Sequence, residues 1–174
     1  MFFMSVDPNT LALVLYPDPI LKKKAEEIDP ADANVQAVAK KMVEIMLLQN
    51  GVGLAAPQVG LPWRLFVTLD PENEGNGVAW LNPKLEVCND EHETDEEGCL
   101  SLPEIHGGIR RPVGIRISGF GLDGKPSTAE SDAFIARVWQ HENDHLDGVL
   151  IIEKMSTMDR LVNRRLIRDL ERAR

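Results

Sequence analysis

The segment QHENDHLDG, residues 140–148, constrains the fold more than any other part of the chain. It lies in a predicted helix of residues 131–147, where His141 and His145 share one face, one turn apart. The residues around them are apolar on nearly every side, so we expect the rest of the chain to enclose this helix. Two buried histidines need partners, and a metal ion would supply them. The apolar positions are Phe134, Ile135, Val138, Trp139 and Leu146.

Glu142 follows the first histidine of the pair and completes the pattern HExxH. It lies about 100° around the helix from His141, where it could reach a water on a shared ion but could not serve as a ligand in the same plane. Two solvated histidines beside a surface glutamate are the alternative interpretation. A zincin-like metallopeptidase would take its third ligand downstream, where the candidates are Glu153 and Glu171.

Cys99, in EEGCLSLPE, is the other candidate for a third ligand. A thiolate and two imidazoles leave a fourth position open, which is typical of catalytic metal sites. The alternative is that Cys99 is a small buried hydrophobic residue. Cys88 has no motif around it and is interpreted as structural. The acidic run 90–97 is expected to form a solvated strand and loop, with Glu97 ordering Arg110 or Arg111.

The glycine-rich segment GVGLAAPQVG, residues 51–60, follows the first predicted helix, and its residues 52–60 are predicted to be a loop. Its glycines allow the backbone to approach a ligand, and the Gln58 amide could donate a hydrogen bond to a developing oxyanion. An ordinary connector after a helix is the alternative. The segment lacks the GxxxxGK pattern of a phosphate-binding loop, so a nucleotide site is not expected.

The order of the remaining elements predicts a single α+β domain, residues 1–174. A first helix is expected from Asp29 and Pro30, as N-cap and first position, to about residue 50. Strands are predicted at WRLFVTLD, WLNPKLEVC and GIRIS. A C-terminal helix is predicted over about 157–172. Its expected apolar stripe consists of Met158, Leu161, Val162, Leu166 and Leu170.

The charge balance excludes several classes of function. Lys and Arg total 19 against 28 Asp and Glu, so the net charge of −9 argues against a general nucleic-acid binder. No apolar run reaches the ~18 residues of a membrane span. The first residues match neither a secretory signal nor a transit peptide. Two cysteines suit a reducing cytosol, so a cytoplasmic protein is expected. The lack of a transit-peptide pattern favours a bacterial source over a phage or an organelle-bearing host.

Three motifs together resemble those of the peptide deformylases. They are GVGLAAPQ at residues 51–58, EGCLS at 97–101 and QHENDH at 140–145, in the family's order. The resemblance runs from YPDP near the start to the MS after the histidine helix, and so covers most of the chain. Ala133 stands where the family often has glycine. The resemblance implies an α+β fold in which small antiparallel sheets enclose a central metal-binding helix, followed by a C-terminal helix.

The resemblance also implies an activity and a set of roles. The family removes the formyl group from formylmethionine of newly synthesised polypeptides, a step of N-terminal methionine processing. Cys99, His141 and His145 would bind one divalent ion, usually Fe²⁺ in the cell, with Ni²⁺, Co²⁺ or Zn²⁺ in purified protein. Glu142 would act as acid and base, while Gln58 and the Leu100 N–H would bind the formyl oxygen.

The partners expected on this basis are formylated nascent peptides, with no membrane and no sequence-specific nucleic acid. For the methionine side chain we predict a pocket involving Ile45, Leu102 and Val138, and for the peptide backbone pairing with Gly51 and Gly53. From residue 159 onward there are six arginines and three acids, which predicts either a solvated helix on the sheet or transient contact with the ribosome. A non-catalytic, ribosome-associated metal-binding protein is the remaining alternative.

Overall fold

The computed structural model describes residues 5–73 and 75–173, which form two sheets around one buried helix. Five antiparallel strands form the larger sheet in the order β1 (Gly53–Ala55), β2 (Leu65–Leu69), β3 (Gly77–Val87), β6 (Ile115–Phe120) and β7 (Pro126–Ser131). β4 (His92–Cys99) and β5 (Leu102–Pro112) form a separate hairpin. The predicted α+β class and the enclosed helix are confirmed.

Both faces of the larger sheet are covered by helices. Alternate residues of a strand point to opposite faces, so Leu65 and Val67 of β2 pack towards α1 (Ala33–Leu48). Phe66, between them, packs towards α2 (Phe134–Leu146), with Trp80 and Trp139. This double burial explains why β2 reads as a continuous apolar run.

A third core lies under the hairpin and positions the C-terminal helices. Ile105 and Ile109 of β5 pack with residues of α3 (Ile151–Lys154) and α5 (Arg164–Arg172). Between these two helices lies α4 (Thr157–Val162). Short 3₁₀ helices occur at Pro8–Thr10, Pro19–Lys22 and Ala56–Val59. None of the helices in the described part of the chain has the length and apolar character needed to cross a lipid bilayer.

Two predicted helix starts were wrong. α1 begins at Ala33 because the Asp32 carboxylate accepts hydrogen bonds from the backbone N–H groups of Asn34 and Val35. Asp29 instead accepts a hydrogen bond from the Ala31 N–H in the preceding turn. α2 begins at Phe134, not 131, because residues 126–131 pair with β6. Ala133 has φ −87°, which any residue adopts, so this position does not require glycine.

The predicted C-terminal helix is divided, and part of its predicted stripe faces solvent. The Asn163 side chain lies between α4 and α5 and donates to the backbone oxygens of His106 and Asp159, at 2.7 and 2.9 Å. Leu166 and Leu170 pack against the core under β5, as expected of the stripe. The apolar residues of α4 are exposed instead: Met158, Leu161 and Val162.

The segment 52–60 is more regular than the predicted loop. Residues 53–55 form β1 at the edge of the larger sheet, and residues 56–59 form a 3₁₀ helix. Gly60 ends this helix with φ +80°, a backbone conformation that favours glycine. The acidic run, predicted as strand and loop, supplies residues 92–97 of β4, which ends at Cys99.

Candidate metal centre and its cavity

Cys99, His141 and His145 meet at the centre of the molecule. α2 contributes the two histidines on one face, and Cys99 is the last residue of β4, where the ladder with β5 shifts register. One donor atom from each residue lies within 4.8 Å of the others. Cys99 Sγ is 3.3 Å from His145 Nε2. The two elements therefore bring a sulfur and two imidazoles to one point, as the sequence predicted.

This donor set fits a divalent transition metal. Thiolate and imidazole are ligands of zinc and of the later first-row metals, and three protein ligands leave a position open for chemistry. His145 is 1% exposed, and burial, with the nearby charges of His141 and Arg111, lowers its pKa well below the usual value. The imidazole is therefore neutral, the form in which it can donate a lone pair.

The downstream glutamates proposed for a zincin site lie in other contacts. Glu153 pairs with Lys22 and accepts a hydrogen bond from the backbone of Leu150. Glu171 accepts a hydrogen bond from the Tyr16 hydroxyl at 2.9 Å. In the described residues, the cluster of potential metal donors contains Cys99 rather than either glutamate.

The carboxylate of Glu97 contacts the imidazole ring of His141. His141 Nδ1 lies 3.0 Å from Glu97 Oε2, so donation of its N–H to the carboxylate leaves Nε2 free for an ion. Arg111 binds the same carboxylate in a bidentate pair at 2.5 and 2.8 Å, and both side chains are buried. Burial alone would raise the pKa of Glu97, but Arg111 and His141 outweigh it and hold that pKa far below its usual value. Of the two predicted arginine partners, Arg111 makes this contact.

Glu142 is buried beside the cluster. Its Oε2 has no hydrogen-bond partner among the described residues, although the side chain is only 3% exposed. Burial raises the pKa of Glu142 to about 7, against the opposing charges of His141 and Arg111. Gly53 lies so close that a Cβ there would overlap the carboxylate. The arrangement leaves a carboxyl group near its point of half-ionisation at neutral pH, as a proton carrier requires.

Gln58 is held with its amide nitrogen facing Cys99. Its Oε1 accepts a hydrogen bond from the Ala55 N–H at 2.8 Å. Its Nε2 donates to Ser101 Oγ at 3.2 Å and, over a longer distance of 3.5 Å, to Cys99 Sγ. Ser101 was absent from the predicted site residues, although it ends the motif EGCLS.

A cavity of about 230 Å³, here called the catalytic cavity, opens onto the cluster. It includes the predicted Gly51, Gly53, Leu100 and Val138, but its described lining does not include Ile45 or Leu102. Ile45 packs against the core under α1, and Leu102 is 1% exposed in the core under β5. Besides Glu97, six other lining residues were not among the predicted site residues: Asn50, Val52, Glu96, Gly98, Phe134 and Arg137.

Two edge strands flank this cavity. β1 pairs only with β2, and β4 pairs only with β5, so within the described residues each leaves one edge without a strand partner. Gly53 of β1 and Gly98 of β4 both line the cavity. An extended peptide in the cavity could therefore form backbone hydrogen bonds with β1 or with β4.

Comparison with known proteins agrees with this arrangement. The sequence model of the polypeptide deformylase family matches residues 10–161. The chain is 42% identical to a peptide deformylase of Thermotoga maritima over 159 residues, 91% of this chain and 94% of the relative. It is 40% identical to that of Agrobacterium fabrum over 151 residues, 85% and 88% of the two chains.

Solved structures show the same fold. A crystal structure of Plasmodium falciparum peptide deformylase superposes with a TM-score of 0.87 at 35% identity, covering 93% of this chain and 96% of the other. The crystal structure of the Thermotoga maritima peptide deformylase superposes with a TM-score of 0.78 at 40% identity, covering 84% of this chain and 97% of the other. The family model matches residues 10–161, and this match, together with the sequence and structural similarities, shows that the chain belongs to the peptide deformylase family.

Proposed function

We propose that the chain carries out the reaction of its family, removal of the formyl group from N-formylmethionine of new polypeptides, in the catalytic cavity. One observation supports the location of the reaction in this cavity. The buried carboxyl group of Glu142 lines the same cavity as His141, whose ring belongs to the three-donor cluster. Within the described residues neither Cys88 nor Cys99 forms a disulfide, which supports a reducing, cytoplasmic location.

Cys99, His141 and His145 would hold one divalent ion, Fe²⁺ in the cell. When bound, the ion supplies Lewis-acid chemistry, lowering the pKa of a coordinated water and polarising the formyl carbonyl. A thiolate ligand donates charge and weakens this effect compared with three neutral imidazoles. The chain must therefore contribute a base of its own.

Glu142 is that base in our proposal. Its carboxylate accepts a proton from the attacking water as the oxygen bonds to the formyl carbon. The same carboxyl then donates the proton to the leaving amine nitrogen as the carbon–nitrogen bond breaks, giving formate and a free N-terminus. Its raised pKa suits both transfers near neutrality.

Gln58 and the Leu100 backbone N–H would stabilise the negative charge that develops on the formyl oxygen. The fixed orientation of the Gln58 amide supports this role. The amide nitrogen of Gln58 donates a long hydrogen bond to Cys99 Sγ, and an oxyanion on the substrate would replace that sulfur as the acceptor. Peptide backbone pairing at Gly51 and Gly53, with the first side chain near Val138, would complete the binding site.

The direct test is hydrolysis of formyl-Met-Ala-Ser by protein purified without oxygen, with the metal content measured on the same sample. Formate release with about one iron per chain, decaying in air, is the expected result. A full metal site without formate release would contradict the proposal and favour a non-catalytic metal-binding protein.

We expect Gln58→Leu to lower kcat on this peptide by about 10²–10³, because one oxyanion donor is lost while the side-chain volume is nearly kept. Ser101→Ala is the matched control, since it removes the other acceptor of the Gln58 amide and leaves the donor in place. Equal effects of the two substitutions on kcat would contradict the oxyanion role.

We also propose that the arginines of α5 make transient contact with the ribosome. α5 packs against the core through its apolar residues, which leaves Arg164, Arg165, Arg168 and Arg172 exposed around a shallow groove. Exposed cations can neutralise RNA phosphates even on a chain of net negative charge.

Replacing these four arginines by glutamine should reduce co-sedimentation with ribosomes. The slope of log K against the logarithm of the salt concentration should decrease in magnitude by about 3–4. Turnover of formyl-Met-Ala-Ser should be unchanged. The control replaces four exposed lysines elsewhere by glutamine, which gives the same change of charge: Lys23, Lys24, Lys40 and Lys84. Equal losses of ribosome binding in both variants would exclude a specific contact of α5.

A further inference from the structure

A second cavity lies next to the catalytic cavity, on the other side of two side chains of α2. This side cavity has a volume of about 160 Å³. Phe134 and Arg137 line both cavities and so form the wall between them. The remaining residues of the side cavity are Glu93, Asp95, Pro112, Val113, Asp132 and Ala133.

Arg137 is the fixed part of this wall. Its guanidinium donates to Glu97 Oε1 at 2.9 Å, to the Ile109 backbone oxygen at 2.9 Å and to the Glu93 backbone oxygen at 3.0 Å. The side chain is 11% exposed. These bonds reach both strands of the hairpin, so the aliphatic part of the side chain cannot easily move away. Phe134, at the start of α2, is 61% exposed and less restrained.

We propose that Arg137 is a specificity-determining residue: its held side chain closes the catalytic cavity and limits the length of the first side chain of the formylated substrate. The inference rests on the proposed function, which places that side chain in the catalytic cavity beside Val138. On this proposal a methionine side chain would fill the closed cavity, and a longer side chain would meet Arg137.

The chemistry of the side cavity determines which longer side chains would enter if the wall were removed. Glu93, Asp95 and Asp132 supply three carboxylates, and no ion pair joins any of them to another residue within 5–73 and 75–173. Alternate residues of β4 point to one face, which brings Glu93 and Asp95 to the side of α2. A long cationic side chain therefore suits the opened space better than a neutral one of equal length.

The experiment compares Arg137→Ala, which removes the wall, with Arg137→Met, which keeps an unbranched side chain but loses the three hydrogen bonds. Each variant is assayed on Ala-Ser peptides that begin with formyl-methionine, formyl-arginine or formyl-citrulline. Citrulline has the length of arginine without its charge. Metal content per chain and the melting temperature are measured for every protein.

We expect Arg137→Ala to raise the kcat/KM ratio of the formyl-arginine to the formyl-methionine peptide by at least about tenfold over the unmodified chain. Citrulline should show a smaller rise. Arg137→Met loses the bond to Glu97, so its rates should fall on both peptides together. Because it keeps an unbranched side chain but not the bonds that hold it, its ratio should lie between those of the alanine variant and the unmodified chain.

Adding Asp95→Asn and Asp132→Asn to Arg137→Ala should bring the arginine peptide down to the level of the citrulline peptide. Equal ratios in the alanine, methionine and unmodified proteins, with metal bound, would overturn the proposal and leave Arg137 as a positioning residue for Glu97. Failure of the unmodified, metal-loaded chain to act on formyl-Met-Ala-Ser would instead contradict the proposed function.

Discussion

Replacing Glu142 by glutamine is expected to lower kcat on formyl-Met-Ala-Ser by about 10²–10⁴ while leaving the bound metal in place. The amide has almost the same shape but neither accepts the proton of the attacking water nor returns one to the leaving amine. Because Glu142 is not a member of the donor cluster, the metal content should remain about one ion per chain. Steady-state formate release and elemental analysis of the same sample measure both quantities.

The control for this prediction is Glu44→Gln on α1, where the side chain is 61% exposed and is not part of the lining of the catalytic cavity. It makes the same chemical change without touching the site. If the Glu142 variant kept most of its turnover at full metal content, the role of Glu142 as proton carrier would be wrong. Loss of the metal in that variant would show that Glu142 helps to hold the ion.

The largest effect on stability is expected from Arg111→Leu, at about 3–5 kcal/mol of unfolding free energy. Arg111 is 3% exposed at its side chain and binds both Glu97 and Asp144. Its removal leaves the buried Glu97 carboxylate with fewer donors, and an unbalanced buried charge is costly. Urea unfolding monitored by circular dichroism gives the difference.

Arg116→Leu is the matched control, since it also removes an arginine that pairs with two carboxylates. Arg116 is 50% exposed and pairs with Glu86 and Glu130 on the sheet surface. Solvated pairs of this kind contribute about 0–1 kcal/mol. A loss at Arg111 no larger than the loss at Arg116 would mean that the buried cluster does not stabilise the fold.

The site was predictable where its residues are neighbours in sequence. His141, Glu142 and His145 lie within one helical turn or so, and their spacing alone places the histidines on one face. Cys99 was identified by the motif around it. The role of Arg137 could not be found in this way, because its partners lie on β4 and β5, which only the fold brings to α2.

Leu102 illustrates a limit of another kind. Leu102 was predicted as an apolar residue of the methionine pocket, but the register shift after Gly98 places it opposite Cys99 at the turn of the hairpin. From there its side chain enters the core with Leu150 and Ile152. Which face a strand residue occupies depends on register, and a single shift reverses it.

The fold was predictable where apolar patterns are strong. β2, β3 and β6 were expected, and α1 was displaced by a few residues because Asp29 and Asp32 are both good N-caps. β7 was missed because its sequence, PSTAES, has no apolar alternation, and its pairing with β6 is seen only in the fold. β1 is only three residues long, too short for a periodic signal.

The two edge strands beside the catalytic cavity have a consequence for the range of polypeptides that one such enzyme can bind. Strand pairing uses amide and carbonyl groups that every polypeptide shares, so it contains no information about side chains. A catalyst that holds its substrate in this way treats thousands of unrelated N-termini nearly alike. The selectivity that remains is concentrated at the first residue, where all those chains begin with the same side chain.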